Sequence, residues 1–145
     1  MNILFLGHTD STLSQMAKTL LRRLDPRLNV FSAGISPSFG IHPFTHKVML
    51  ELGLPLFGQK AETIDRLSGL EFDYVISFSK LPPGGARPKM TATGRFTQFM
   101  VPEPAEPAKG QSSQLVRFRV VRKLLSEIVT RLYFGDLRPA WEQRV

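Results

Sequence analysis

The sequence contains no cysteine. That absence excludes disulfides, thiolate metal sites and every mechanism built on a cysteine nucleophile. Long apolar runs are missing too: the early stretch Ile3–Leu6 is far short of the ~20 residues that a membrane-spanning helix needs. The N-terminal residues show no basic segment followed by an apolar core and a small-residue cleavage site, so no secretory leader is expected and the expected compartment is the cytoplasm. Histidine is scarce, and His42 and His46 stand at no metal-ligand spacing with the scattered acids. Neither a metal nor a cofactor is therefore expected. Acidic residues are the minority, 12 against 19 Lys and Arg, for a net charge of +7.

What is present fits one soluble domain. The chain has 145 residues, 42% hydrophobic and 21% charged, enough to bury roughly two-thirds of its unfolded surface in one core. Part of the positive charge lies between Gln111 and Phe134, where Arg117, Arg119, Arg122, Lys123 and Arg131 face Glu127 alone. A smaller group, Lys18, Arg22, Arg23 and Arg27, sits near the end of the first expected helix. Such faces favour phosphates or acidic partners, although a solvated helix surface produces the same pattern.

Apolar periodicity alternates between the two regular structures. Asn2–Leu6 reads as a buried strand ending at Gly7, and Met16, Leu20, Leu21 and Leu24 recur at helical spacing until Asp25-Pro26 stops them. Asn29–Ala33 reads as a second strand, and His42-Pro43 opens a helix with Phe44, Val48, Met49 and Leu52 on its apolar face and Gly53 at its end. A short helix is expected over Ala61–Leu67 and a strand over Phe72–Phe78. A breaker-rich loop over Leu81–Gly94 then precedes a fourth strand over Arg95–Val101. The last helix carries a stripe of Leu115, Phe118, Val121, Leu125, Ile128 and Leu132. Strands alternating with helices predict an α/β three-layer sandwich, a four-stranded parallel sheet flanked by helices. The expected domain covers residues 1–132, with 133–145 as a C-terminal extension.

Ligands of open α/β sheets gather where a strand's carboxyl end meets a helix N-terminus. Here that place is Gly7-His8-Thr9-Asp10-Ser11-Thr12-Leu13-Ser14. It lacks the Gly-Lys-Ser/Thr ending of a Walker loop and the glycines of a dinucleotide fingerprint. As a bare pattern it predicts that Ser11, Thr12 or Ser14 caps the following helix.

An ordered set of segments goes further. Ile3-Leu4-Phe5-Leu6 is followed by Ser14-Gln15-Met16-Ala17, Phe31-Ser32-Ala33-Gly34 with Pro37-Ser38, and Gly40-Ile41-His42-Pro43. Val48-Met49-Leu50-Glu51-Leu52-Gly53, Gly58-Gln59-Lys60 and Phe72-Asp73-Tyr74-Val75-Ile76 complete it. Together they resemble the low-molecular-weight protein tyrosine phosphatases, and more closely the related thioredoxin-coupled arsenate reductases. The resemblance implies the phosphotyrosine protein phosphatase I-like sheet with its active loop directly after the first strand. In the family that loop runs from a cysteine nucleophile through five residues to an arginine that grips the oxyanion, then Ser or Thr. An aspartate in a later Asp-Pro pair protonates the leaving group.

Carried over residue by residue, the nucleophile's position holds Gly7, the arginine's holds Leu13, and the acid's is best matched by Glu103 of Glu103-Pro104; Ser14 is kept. Asp10 stands where the family often has Asn, a residue able to adopt positive φ, a conformation that Asp also tolerates, so the loop could keep its curl. Asp10 would place a negative charge beside the pocket, while Leu13 makes its rim apolar. The reading is a catalytically inactive homologue with no catalytic residues. Its remnant anion-binding loop, Gly7, His8, Thr9, Asp10, Ser11, Thr12, Leu13 and Ser14, would hold a small anion or a protein partner, with no membrane and no expected nucleic-acid role. Two alternatives stay open. One is a hydrolase using Ser11, Thr12 or Asp10 as nucleophile with Glu103 as acid or base; the other is a binder of nucleic acid or acidic protein through the basic last helix. Trp141 in the extension could cover the apolar rim or make a dimer contact.

Overall fold

A computed structural model describes residues 1–104 and 111–138. Its strands are β1 (Asn2–Gly7), β2 (Asn29–Gly34), β3 (Glu71–Ser77) and β4 (Lys89–Gln98). Its helices are α1 (Leu13–Leu24), α2 (Pro43–Leu50) and α3 (Gln111–Leu132), with a 3-10 turn over Ile64–Leu67 and a π-helical turn over Tyr133–Leu137. All four strands pair in parallel, in the order β2-β1-β3-β4. The α/β class and the four-stranded parallel sheet are as the sequence predicts.

The period-two geometry of a strand sorts the side chains of β1 onto the two faces. Ile3 and Phe5 join α1, α2 and α3 in the larger core cluster, whereas Leu4 and Leu6 pack with Val75, Phe72 and Ile64 on the opposite face. The second face is thus covered by a thinner layer around the 3-10 turn. On α3 the expected stripe is confirmed for Phe118, Val121, Leu125 and Leu132, and Val129 joins it.

Three boundaries differ from the sequence reading. The fourth strand starts at Lys89, inside the expected loop, because β4 is an edge strand whose exposed residues carry no apolar alternation. Its register shifts between Phe72↔Met90 and Tyr74↔Arg95, so residues 91–94 bulge out of the ladder. Helix α2 stops at Leu50, and the N–H of Leu54 returns to the carbonyl of Met49 at 3.0 Å, which turns Leu52 outward. Over residues 61–67 only one 3-10 turn forms, because Thr63 pairs in parallel with Gly34.

The expected boundary at Leu132 has core residues beyond it. Tyr133 and Leu137 are buried in the larger cluster, and the Tyr133 hydroxyl donates to Asp25 Oδ2 at 2.9 Å. Trp141 lies outside the described residues. The basic residues of α3 are partly spent on packing: Arg119 Nη2 lies 2.7 Å from Glu51 Oε2, Arg122 Nη1 2.8 Å from Glu51 Oε1, and Arg117 donates to the carbonyl of Glu103. This clamp holds the Glu51 carboxyl down to about 2 through hydrogen bonds from Arg119 and Arg122.

Candidate functional site

Strand β1 ends at Gly7 and α1 begins at Leu13, so residues 8–12 lie at the carboxyl end of a central strand. Neighbouring backbone ties this loop down. Ile35 N–H donates to Gly7 O at 3.0 Å, Ser36 N–H to His8 O at 2.8 Å, and His42 N–H to Ser11 O at 2.9 Å. The approach is so close at Gly34 that a Cβ there would stand 2.6 Å from the Asp10 nitrogen and 2.7 Å from Thr9 Cα. Glycine at the end of β2 is a steric requirement of this loop.

Asp10 is the knot of the arrangement. It is 1% exposed, and its carboxylate accepts from Ser14 Oγ at 2.7 Å, Gln15 Nε2 at 2.8 Å, Ser32 Oγ at 3.1 Å and Glu62 N–H at 3.0 Å. One side chain thereby joins the loop, α1, β2 and the segment before the 3-10 turn. Burial pushes its carboxyl above the usual range, opposed by the Glu62, Ser14 and Ser32 hydrogen bonds and by the attraction of Lys18. The positive φ that Asp10 could tolerate is not used: among the described residues only glycines have positive φ. Nor does its charge stand beside an open pocket, because the carboxylate is enclosed by donors.

Leu13 is also corrected. It is 3% exposed and belongs to the larger core cluster, so it forms no apolar rim and calls for no cover. The capping expectation is met in position but not in bonding. Thr12 occupies the N-cap of α1 without a side-chain capping bond; its hydroxyl faces Thr45 Oγ1 at 3.4 Å, while Ser11 pairs with Thr9 through their hydroxyls at 2.7 Å.

Gly7 shows how the loop is closed. A Cβ on Gly7 would stand 2.7 Å from the carbonyl oxygen of Thr9 and 3.2 Å from Ser14 Oγ. A main-chain acceptor therefore occupies the space in which a side chain at position 7 would begin. The Ser14 hydroxyl is committed to Asp10. Of the residues expected in the loop site, Gly7, Asp10, Thr12, Leu13 and Ser14 are buried, and only His8, Thr9 and Ser11 reach the surface. Glu103 does not join them: it lines a separate cavity of about 240 Å³ against Val116, Val120 and Leu124 of α3, and no residue of Gly7–Ser14 lines that cavity.

Beside the loop lies a cavity of about 630 Å³ whose wall includes Thr9, Ser11, Pro37, Phe39, Ile41 and His42. Phe39 at its edge is fully exposed. His42 is the N-cap of α2, its Nδ1 accepting from Phe44 N–H at 3.0 Å, and burial moves its pKa downward. The sequence reading did not name Phe39 and used Ile41 only within the segment Gly40-Ile41-His42-Pro43; an apolar pair bracketing Gly40 in a polar turn was the available signal.

A four-stranded parallel α/β sheet in which a short loop passes from the end of a central strand into a helix defines the class of protein. The chain belongs to the low molecular weight phosphotyrosine protein phosphatase family, whose sequence model matches residues 2–137. It is 28% identical over 135 residues to the glutaredoxin arsenate reductase of Synechocystis sp., a match covering 90% of this chain and 94% of the relative. Its structure is similar to that of an arsenate reductase in the phosphate binding state, with TM-score 0.72 and 27% identity, covering 90% of this chain and 95% of the other. The arsenate reductase of Archaeoglobus fulgidus, at 17% identity and TM-score 0.64, covering 88% of this chain and 98% of that one, shares the fold.

Proposed function

We propose that this chain is a non-catalytic member of its family that binds a protein partner through the surface around the closed loop. The observation that carries the reading is the pairing of Gly7 with the Thr9 carbonyl oxygen at 2.7 Å from the would-be Cβ. No nucleophile starts there, and a main-chain acceptor stands against the point where a side chain at position 7 would begin. The absence of cysteine from the whole chain supports it. Loss of a nucleophile that acts as a unit with its partners costs on the order of a million-fold in rate, and loss of an oxyanion donor about a hundred- to a thousand-fold.

The hydroxyl and carboxylate alternatives have less support. Asp10 is enclosed by four hydrogen bonds, Thr12 is buried, and Ser11 is paired with another hydroxyl rather than with a base. The basic-helix alternative is weakened by the use of Arg117, Arg119 and Arg122 in packing. Between an anion and a protein as occupant, the exposed Phe39 and the apolar wall beside it favour the protein, since aromatic anchors dominate such interfaces.

The test is a pair of steady-state assays on the purified chain, one with an aryl phosphate and one with arsenate plus a thiol donor. The expected result is no turnover that depends on the loop; turnover abolished by Ser14→Ala overturns the proposal. For the partner surface, a protein retained by the immobilised chain is expected to be lost with Phe39→Asp.

A further inference from the structure

On the far side of Asp10, between α1, β2 and the segment before the 3-10 turn, lies a cavity of about 530 Å³. Lys18, Arg22, Lys60 and Arg66 line it, with Glu62 as the acid in the wall. Lys18 is unusual. It is 7% exposed, and among the described residues it has no hydrogen-bond or ion-pair partner, so its ammonium group is presented to the cavity without an acceptor. Setting Glu62, and Asp10 behind it, against the four cations leaves two positive charges, the complement of a phosphate dianion.

Two further features describe the rest of the ligand. Gln59, also in the wall, has a buried amide oxygen with no donor, which a ligand hydroxyl would satisfy. Phe31 adds an apolar surface, and the volume is far larger than an inorganic phosphate ion fills. We propose that this cavity binds a small hydroxylated organic phosphate of the sugar-phosphate class. The phosphate lies against Lys18, Arg22 and Arg66, a ligand hydroxyl donates to Gln59 Oε1, and the carbon face of the ligand rests on Phe31. Burial draws the Lys18 ammonium down to about 8, outweighing the attraction of Asp10 and Glu62. This site shares no residue with the loop cavity and stands whether or not the loop retains turnover.

The experiment is calorimetric titration of the intact chain at low salt with glucose 6-phosphate, inorganic phosphate and glucose. Glucose 6-phosphate is expected to bind at least tenfold more tightly than inorganic phosphate, and glucose not measurably. Lys18→Met and, separately, the exposed Arg66→Glu are each expected to weaken glucose 6-phosphate at least tenfold. Lys89→Glu, on the opposite edge of the sheet, is expected to change it less than twofold. Equal affinity for the two phosphates, or retention within twofold by both Lys18→Met and Arg66→Glu, overturns the proposal. So does an equal loss with Lys89→Glu, which reads net charge rather than a site.

Discussion

The carbonyl oxygen of Thr9 stands 2.7 Å from the point where a Cβ on Gly7 would be. Backbone carbonyls do not tolerate a carbon that close, so any side chain at position 7 must push the loop out of the shape that Asp10 holds. Gly7→Ala is expected to lower the unfolding free energy by about 1–3 kcal/mol, read from denaturant midpoints. Gly7→Cys combined with Leu13→Arg is expected to lose stability further, because Leu13 is in the core, and to gain no aryl phosphatase activity.

Asp10 offers a sharper comparison. Asp10→Ala leaves Ser14, Gln15, Ser32 and the Glu62 N–H facing an empty space, and is expected to cost about 3–5 kcal/mol. Asp10→Asn keeps one oxygen for the donors that now share Oδ2 and turns its amide toward Ser14 Oγ. Because burial already disfavours the charge at this position, the Asn variant is expected to fall within about 1 kcal/mol of the parent. Thermal unfolding of the two variants beside the parent checks the order.

Lys18 gives a pH signature. Its pKa falls from 10.5 to about 8, chiefly through burial. Between about 8 and 10.5 the unfolded chain holds a proton that the folded chain has released, so this group's contribution to stability rises with pH across that window and its cost is complete below about 8. Lys18→Met is expected to raise stability at pH 7 by about 1–3 kcal/mol and to flatten the slope between pH 8 and 10.5. Urea unfolding at a series of pH values measures both.

At the other end of α1, Arg27 hydrogen bonds hold the Asp25 carboxyl down to about 2 against the effect of burial, with help from the Tyr133 hydroxyl. A carboxyl depressed from 3.8 stabilises fully above that value, and the benefit disappears as pH falls through about 2. Tyr133→Phe is expected to cost about 1 kcal/mol at pH 7 and to move the Asp25 titration upward, which NMR of that carboxyl would follow. Truncation after Leu132 also removes buried Leu137, and is expected to cost several times as much, at least about 3 kcal/mol, by urea denaturation.

The parallel sheet was legible because Ile3–Leu6 is a continuous apolar run and Phe72–Phe78 an apolar stretch broken only by Asp73 and Ser77, both between turn signals, the pattern of strands buried on both faces. The edge strand was not: exposed residues such as Ala92 and Thr93 carry no periodic burial to read. At the loop, the position of Gly7 at the end of β1 followed from strand length, but the fates of Asp10 and Leu13 did not. A carboxylate wrapped by Ser14, Gln15, Ser32 and Glu62 depends on segments up to 52 residues away, and no local pattern encodes that convergence. Leu13 reads as a lost arginine when compared with the family, yet its surroundings are apolar and it packs as an ordinary core leucine. The Lys18 cavity was visible only as a cluster of basic residues near a helix end, since Lys60 and Arg66 reach it from a distant segment.

The central claim is that the segment Gly7–Ser14 is a closed structural knot rather than an oxyanion cradle. Titrating isotopically labelled protein with inorganic phosphate while following the backbone amides of Thr9, Ser11 and Leu13 by NMR tests it most directly. The account predicts that these amides do not move through millimolar phosphate, any shifts falling instead around Lys18 and Arg66. Saturable displacement of the Thr9, Ser11 and Leu13 signals together would contradict it.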